Sequence, residues 1–156
     1  CAGPWIFYKM KAHPSRLGPQ YAPQIAELEK MCFDQPWSEE QCRQAFAQPA
    51  YAAFGMPGAD ILLAYISLYL VRDEMEVLNL AVRPECRRQG HGRRLLFLAL
   101  QAGRKIGIQK ACLEVRESNF PAISLYEGLG FVQCGKRPHY YANNENALLY
   151  ARDMGI

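Results

Sequence analysis

The stretch Val82-Arg83-Pro84-Glu85-Cys86-Arg87-Arg88-Gln89-Gly90-His91-Gly92-Arg93-Arg94 decides how the rest of the chain is read. An apolar, strand-like run at residues 75–82 leads into it. Leu95, Leu96, Ala99, Ala102 and Ile106 follow at helical spacing, so the stretch turns a strand into a helix. Gly90 and Gly92 let the backbone approach a ligand without a Cβ in the way. The free N–H groups of a helix's first turn, with the positive end of its dipole, favour an anion at that point. Arg83, Arg87, Arg88, Arg93 and Arg94 crowd the same stretch, whereas the whole chain carries a formal charge of only +3. A local cluster on a nearly neutral chain suits one anionic ligand such as a pyrophosphate, and argues against bulk nucleic-acid binding.

Two familiar phosphate loops do not fit. No GxxxxGK followed by Ser or Thr occurs anywhere in the chain, so this is not a Walker loop. A dinucleotide-binding turn has Gly90 and Gly92, and Glu114 follows about 20 residues on, where a ribose-binding acid would lie. But Leu95 stands in place of the third glycine, and a long polar loop separates strand from glycines. The strands upstream also read as antiparallel, which suits a doubly wound sheet poorly.

Upstream, residues 51–56 and 61–71 are β-rich and flank Pro57-Gly58-Ala59-Asp60, the signature of a hairpin. Arg72-Asp73-Glu74 turns the chain into the strand at 75–82. Downstream, Gly107 stops the long helix, and residues 111–115 form a strand. A helix at 121–129 is capped by Asn119 or Ser118 with Pro121 in its first turn, and strands at 131–136 and 147–152 close the chain. Near the start, residues 5–10 read as a first strand, and 13–23, with Pro14, Pro19 and Pro23, as a connection. Ile25, Leu28, Met31 and Cys32 give a first helix with Glu27 and Glu29 between them. Ser38, with Gln41 three residues on, gives a second helix a capping box. The order is that of a single α/β domain over residues 1–156, an α+β mixed sheet that is mostly antiparallel. The crossover helix makes residues 75–82 and 111–115 its one parallel pair.

With 156 residues, half of them hydrophobic and 21% charged, the chain can bury a core and fits one domain. Six cysteines lie scattered with no CxxC pair, which points to free thiols in a reducing compartment and to no metal site. The longest apolar run, residues 61–71, is too short to span a bilayer, and no secretory signal pattern opens the chain. A cytoplasmic protein without membrane contact is the expectation.

Arg87-x-x-Gly90-x-Gly92 fits the signature of the GNAT superfamily of N-acetyltransferases, and the element order resembles that fold along nearly the whole chain. Leu113-Glu114-Val115-Arg116-Glu117-Ser118-Asn119, running into Ala122-Ile123-Ser124-Leu125-Tyr126-Glu127-Gly128-Leu129-Gly130-Phe131, is more selective. With Pro36-Trp37-Ser38 and Arg137-Pro138-His139-Tyr140-Tyr141 it resembles the RimI-type ribosomal-protein alanine N-acetyltransferases. The resemblance implies acetyl-CoA as cofactor, coenzyme A as product, and a ribosomal protein N-terminus as partner. It further implies that the backbone of Leu80, Ala81 and Val82 meets the acetyl and pantetheine arm. Arg88, Gln89, Gly90, His91, Gly92 and Arg93 would wrap the pyrophosphate through main-chain N–H groups, and Asn119 would touch the cofactor arm. Glu114 would be the general base and Tyr126 the general acid.

The residues themselves support such chemistry. A peptide α-amine has a pKa near ~8 and must lose a proton before it attacks, and a carboxylate can take that proton. Strand alternation turns Glu114 with Cys112 away from Leu113 and Val115. Helical spacing sets Tyr126 on the face of Ala122 and Ile123, from which its hydroxyl can serve a leaving thiolate. Cys112 offers a rival route through an acyl-cysteine. Consecutive tyrosines in a loop cannot both face one core, so Tyr140 and Tyr141 are candidates for a peptide groove, as is Trp37. Three uses of the chain stay open: acetylation of an N-terminal alanine, acetylation of other N-termini or small amines, and non-catalytic binding of acetyl-CoA or RNA.

Overall fold

The computed structural model describes residues 13–155, so the strand expected at 5–10 lies outside the described residues. The elements are β1 (Ser15–Leu17), α1 (Ala22–Cys32), α2 (Glu39–Phe46), β2 (Tyr51–Pro57), β3 (Leu62–Val71), β4 (Glu74–Val82), α3 (His91–Lys105), β5 (Lys110–Arg116), α4 (Phe120–Gly128), β6 (Val132–Arg137) and β7 (Ala147–Asp153). The strands form a seven-stranded mixed sheet in the order β1-β2-β3-β4-β5-β7-β6. Contacts divide the chain into two compact units. One holds the described residues up to Leu68 together with Asn79–Leu96, the other Tyr69–Leu78 and the chain from Phe97 onward.

In the first unit the reading of residues 13–23 as a bare connection is corrected. Leu17 is buried there, and β1 pairs antiparallel with β2, Leu17 opposite Ala53. The prolines flank this three-residue strand instead of interrupting it, so no ladder bond is lost. A 3-10 turn at Pro19–Tyr21 then leads straight into α1. Along α1 the buried residues are Ala22, Ile25, Ala26, Leu28 and Glu29. Met31, expected on the buried face, is 43% exposed, and Glu29, expected between the apolar positions, is 1% exposed. The capping box of α2 is present: Gln41 N–H donates to Ser38 Oγ at 3.1 Å, and Ser38 N–H donates to Gln41 Oε1 at 2.8 Å. Gly58 N–H donates to the Ile61 carbonyl at 2.7 Å and closes the β2–β3 turn.

In the second unit β4 and β5 run parallel, from Glu74 beside Lys110 to Val77 beside Leu113, and the recorded pairing ends there. The alternation of β4 ends at the same place. Met75 and Val77 are buried between exposed Glu74 and Glu76, whereas Leu78, Asn79 and Leu80 are all half-buried. A Cβ on Gly103 would run into the Met75 methyl group, so this glycine lets α3 approach β4 closely. Gly107, at φ +94°, ends the turn after α3, and Ile108 takes the buried place. Ile106, expected on the apolar face, lies past the end of α3 and is 67% exposed. β7 pairs antiparallel with both β5 and β6.

Candidate active site

The phosphate loop belongs to the first unit. The end of β4 is held by Arg83, which is 5% exposed and donates from Nε to the Leu62 carbonyl at 3.3 Å. Its guanidinium lies 3.6 Å from Glu27 and 3.9 Å from Glu85. Arg87 folds back and donates from Nε to the Val82 carbonyl at 3.1 Å, an oxygen that also accepts from Cys32 Sγ at 3.4 Å. These two arginines therefore brace the loop, and the positive cluster read from the sequence shrinks to Arg88, Arg93 and Arg94, all exposed. The Val82 carbonyl already accepts two bonds, so it is engaged within the protein.

Two residues of the loop sit in the left-handed region, Arg88 at φ +61° and Gly90 at φ +82°. An added Cβ on Gly90 would meet no atom within 4 Å, so the side-chain position there is open space. The first i−4 bond of α3 runs from Arg94 N–H to the Gly90 carbonyl at 3.0 Å. The N–H groups of His91, Gly92 and Arg93 thus belong to the first turn, where a helix supplies no acceptor of its own. An open cradle with first-turn N–H groups and exposed arginines fits a pyrophosphate.

Glu114, Tyr126, Tyr140, Tyr141 and Asn119 belong to the second unit. Glu114 is the first residue of β5 beyond the parallel pairing, and it keeps Leu149 of β7 as its ladder neighbour. Ligand groups gather just beyond the carboxyl ends of parallel strands. Leu113 and Val115 are buried and Glu114 is half-exposed, as the alternation predicts. Its Oε1 lies 3.0 Å from Arg137 Nε. The Glu114 charge raises the Tyr140 phenol above its ordinary pKa. Arg137 is 55% exposed, and an exposed pair of this kind is worth at most about 1 kcal/mol.

Tyr126, on α4, is 7% exposed, and its ring packs against Phe131 with centroids 5.9 Å apart. Burial pushes its phenol up to about 12. Asn119 caps α4, its Oδ1 accepting from Ala122 N–H at 3.3 Å.

The loop between β6 and β7 is pinned by a network with no signal in residue spacing. Glu145 accepts from Ser118 N–H at 2.8 Å and from Arg116 at 3.1 Å, and these bonds hold its carboxyl down at about 2. The Arg116 guanidinium lies 3.9 Å from the Tyr141 ring centroid, a cation–π contact that half-buries the ring. Tyr140 is 52% exposed, so one tyrosine of the pair is anchored and the other presented. In the first unit, Trp37 stacks on Tyr51 at 6.4 Å and stays half-exposed.

Cys112 lines a cavity of about 320 Å³ with Tyr69, Val71, Glu74 and Glu76. Burial, then the nearby carboxylates of Glu76 and Glu74, raise its thiol above the ordinary value. A thiol so placed supplies little thiolate at neutral pH, which weighs against an acyl-cysteine. Cys112→Ala is expected to keep kcat within about twofold of the parent in a steady-state acetylation assay. Near-complete loss would restore the acyl-cysteine route.

With this geometry in place, the relationships of the chain are specific. Residues 22–131 match the model of the acetyltransferase (GNAT) family, and the chain belongs to that family. Its members use acetyl-CoA, and the chain is an N-acetyltransferase by membership. It is 34% identical over 137 residues to the ribosomal protein bS18-alanine N-acetyltransferase of Escherichia coli (strain K12), covering 86% of this chain and 92% of that one. It is 33% identical over 133 residues to the enzyme of the same name from Salmonella typhimurium (strain LT2), covering 77% and 90%. The crystal structure of the Escherichia coli ribosomal-protein-S18-alanine N-acetyltransferase superposes with a TM-score of 0.86 at 32% identity, over 93% of this chain and 95% of that one. Among the described residues no helix is long and apolar enough to cross a membrane.

Proposed function

We propose that this N-acetyltransferase modifies the α-amine of a protein N-terminus, with the N-terminal alanine of ribosomal protein bS18 as its substrate in the cytoplasm. The observation that carries this reading is the similarity to bS18-alanine N-acetyltransferases across nearly their full length. A protein substrate is further supported by the pinned loop that presents Tyr140 beside the Glu114 carboxylate.

Acetyl-CoA supplies, when bound, an acetyl group activated as a thioester. Its pyrophosphate would be held by main-chain N–H groups of residues 88–93 and its acyl arm by the backbone of Leu80, Ala81 and Val82, and the resemblance gives Asn119 a contact with the cofactor arm as well. Glu114 would accept the proton from the α-ammonium, leaving a neutral amine to attack the thioester carbonyl. The C–S bond would then break to release the coenzyme A thiolate, and the proton left on the new amide nitrogen would pass through solvent to that thiolate. Tyr126 keeps its proton at any pH the protein meets, because burial holds the phenol at about 12. Full transfer of that proton to a thiolate with a pKa near ~8.5 is uphill by about 5 kcal/mol. Tyr126 therefore acts chiefly by donating a hydrogen bond to the departing sulfur, a narrower role than that of a complete proton donor.

Tyr126→Phe is expected to lower kcat about 10- to 100-fold, the worth of one hydrogen bond to a developing charge, while leaving the Kd for acetyl-CoA within a factor of about two. Parent-like turnover across the pH range would remove Tyr126 from the mechanism. The substrate reading is tested with peptides that share the bS18 N-terminal sequence and differ in the first residue. Alanine-first peptides should be acetylated fastest. Equal rates for every first residue, or turnover of small polyamines alone, would replace this reading with one of the broader ones.

A further inference from the structure

Glu29 is a carboxylate in the interior of the first unit, 1% exposed on α1. Its Oε1 accepts from Trp37 N–H at 3.1 Å and from Asn79 Nδ2 at 3.3 Å. Its Oε2 accepts from the Tyr65 hydroxyl at 2.8 Å and from Asn79 Nδ2 at 3.4 Å. Among the described residues no lysine or arginine forms an ion pair with it. Removing a carboxylate from water without a cation is costly, and burial raises its pKa against the opposing bonds from Trp37 and Tyr65. A glutamine would fill the same volume without that cost. The acid is thus more than a space-filler in a helix face.

Both ends of its reach are informative. Trp37 immediately precedes Ser38, the N-cap of α2, so the bond to its N–H fixes the chain where that helix begins. Asn79 immediately precedes Leu80, Ala81 and Val82, the backbone assigned above to the acetyl arm. Tyr65, on β3 and fully buried, closes the cluster from a third element. We propose that Glu29 is a positioning residue for acetyl transfer: by holding the Trp37 main-chain N–H and the Asn79 amide at once, it sets the start of α2, with the indole that would line the peptide groove, and the end of β4 assigned to the acetyl arm in one geometry. This rests on the N-terminal acetylation reading.

Glu29→Gln tests it, because the amide keeps the volume but has one acceptor oxygen in place of two, so it can receive the Trp37 main-chain N–H or the Tyr65 hydroxyl but not both. The expected result is a folded protein whose kcat/KM for an alanine-first peptide falls about tenfold, with the Kd for acetyl-CoA unchanged within about twofold. Combined with Trp37→Ala, the loss should fall short of the product of the two single losses, since part of the Glu29 effect runs through Trp37. In a Trp5→Phe background, where Trp37 is the single tryptophan, Glu29→Gln should shift the emission maximum. If Glu29→Gln does not fold, Tyr65→Phe, which deletes one bond to Oε2, carries the same expectations at about threefold. Parent-like kcat/KM in a folded variant overturns the proposal. So does a loss that multiplies in full with that of Trp37→Ala, or one that only tracks a lowered Tm. Should the parent acetylate no peptide, the acetylation reading fails by itself, and an unshifted Trp37 emission in Glu29→Gln would then refute the positioning role separately.

Discussion

Glu114→Gln is expected to lower kcat for an alanine-first peptide about 10²- to 10³-fold at pH 7, within the range of about 10²- to 10⁴-fold that a positioned general base contributes. The amide keeps the size of the side chain and loses the capacity to take a proton. Cofactor binding should survive, because the phosphate loop belongs to different residues, and titration of the variant with acetyl-CoA would check this. The pH dependence is the sharper part. An α-amine with a pKa near ~8 is about one-tenth neutral at pH 7, and the neutral share rises with pH without help from the enzyme. The defect of Glu114→Gln should therefore shrink as pH rises through 8 and beyond. A defect that stayed constant over that range would mean the carboxylate does something other than remove this proton. Losing Arg137's exposed partner should matter little for stability, since such a pair contributes about 1 kcal/mol or less.

Gly90→Val should abolish useful acetyl-CoA binding, raising Kd about 100-fold or more. Two costs add. Gly90 sits at φ +82°, where a β-branched residue is strained by about 1–3 kcal/mol. The new side chain would also occupy the open space above the first turn of α3, displacing a phosphate from its N–H donors, each such bond being worth about 1.5–3 kcal/mol. A total near ~3 kcal/mol corresponds to about 100-fold in Kd. Calorimetric titration reads this directly. Near-parental affinity in the valine variant would show that the phosphates bind elsewhere. Arg88→Ala should weaken binding far less than Gly90→Val, because the main chain of this loop carries the larger share.

The elements legible in the sequence were those with a strong local signal. An apolar run marked β4, alternation set the facing of β5, Gly107 ended the α3 segment, and Ser38 with Gln41 started α2. The parallel pairing of β4 with β5 followed from the crossover between them. What escaped was decided by contacts distant in sequence. Glu29 stands four residues after Ile25 and seven after Ala22, on the buried face by helical spacing, yet a charged residue reads as solvent-facing until its partners Trp37, Tyr65 and Asn79 are seen. Arg83 and Arg87 share the composition of Arg88 and Arg93, but the first two are turned onto Leu62 and Val82, which no count of charges reveals. The pairing of Arg137 with Glu114 depends on how the β6–β7 loop lies, and residue spacing carries no trace of it.

The proposed function requires that acetyl pass from acetyl-CoA to a protein α-amine. The most direct measurement offers the enzyme acetyl-CoA and an alanine-first peptide that also contains an internal lysine, with the acetylated position mapped by fragment mass spectrometry. Modification of the N-terminal alanine with the lysine untouched is the predicted result. Acetyl on the lysine alone, or acetyl-CoA bound with no acetyl on either amine, would contradict it.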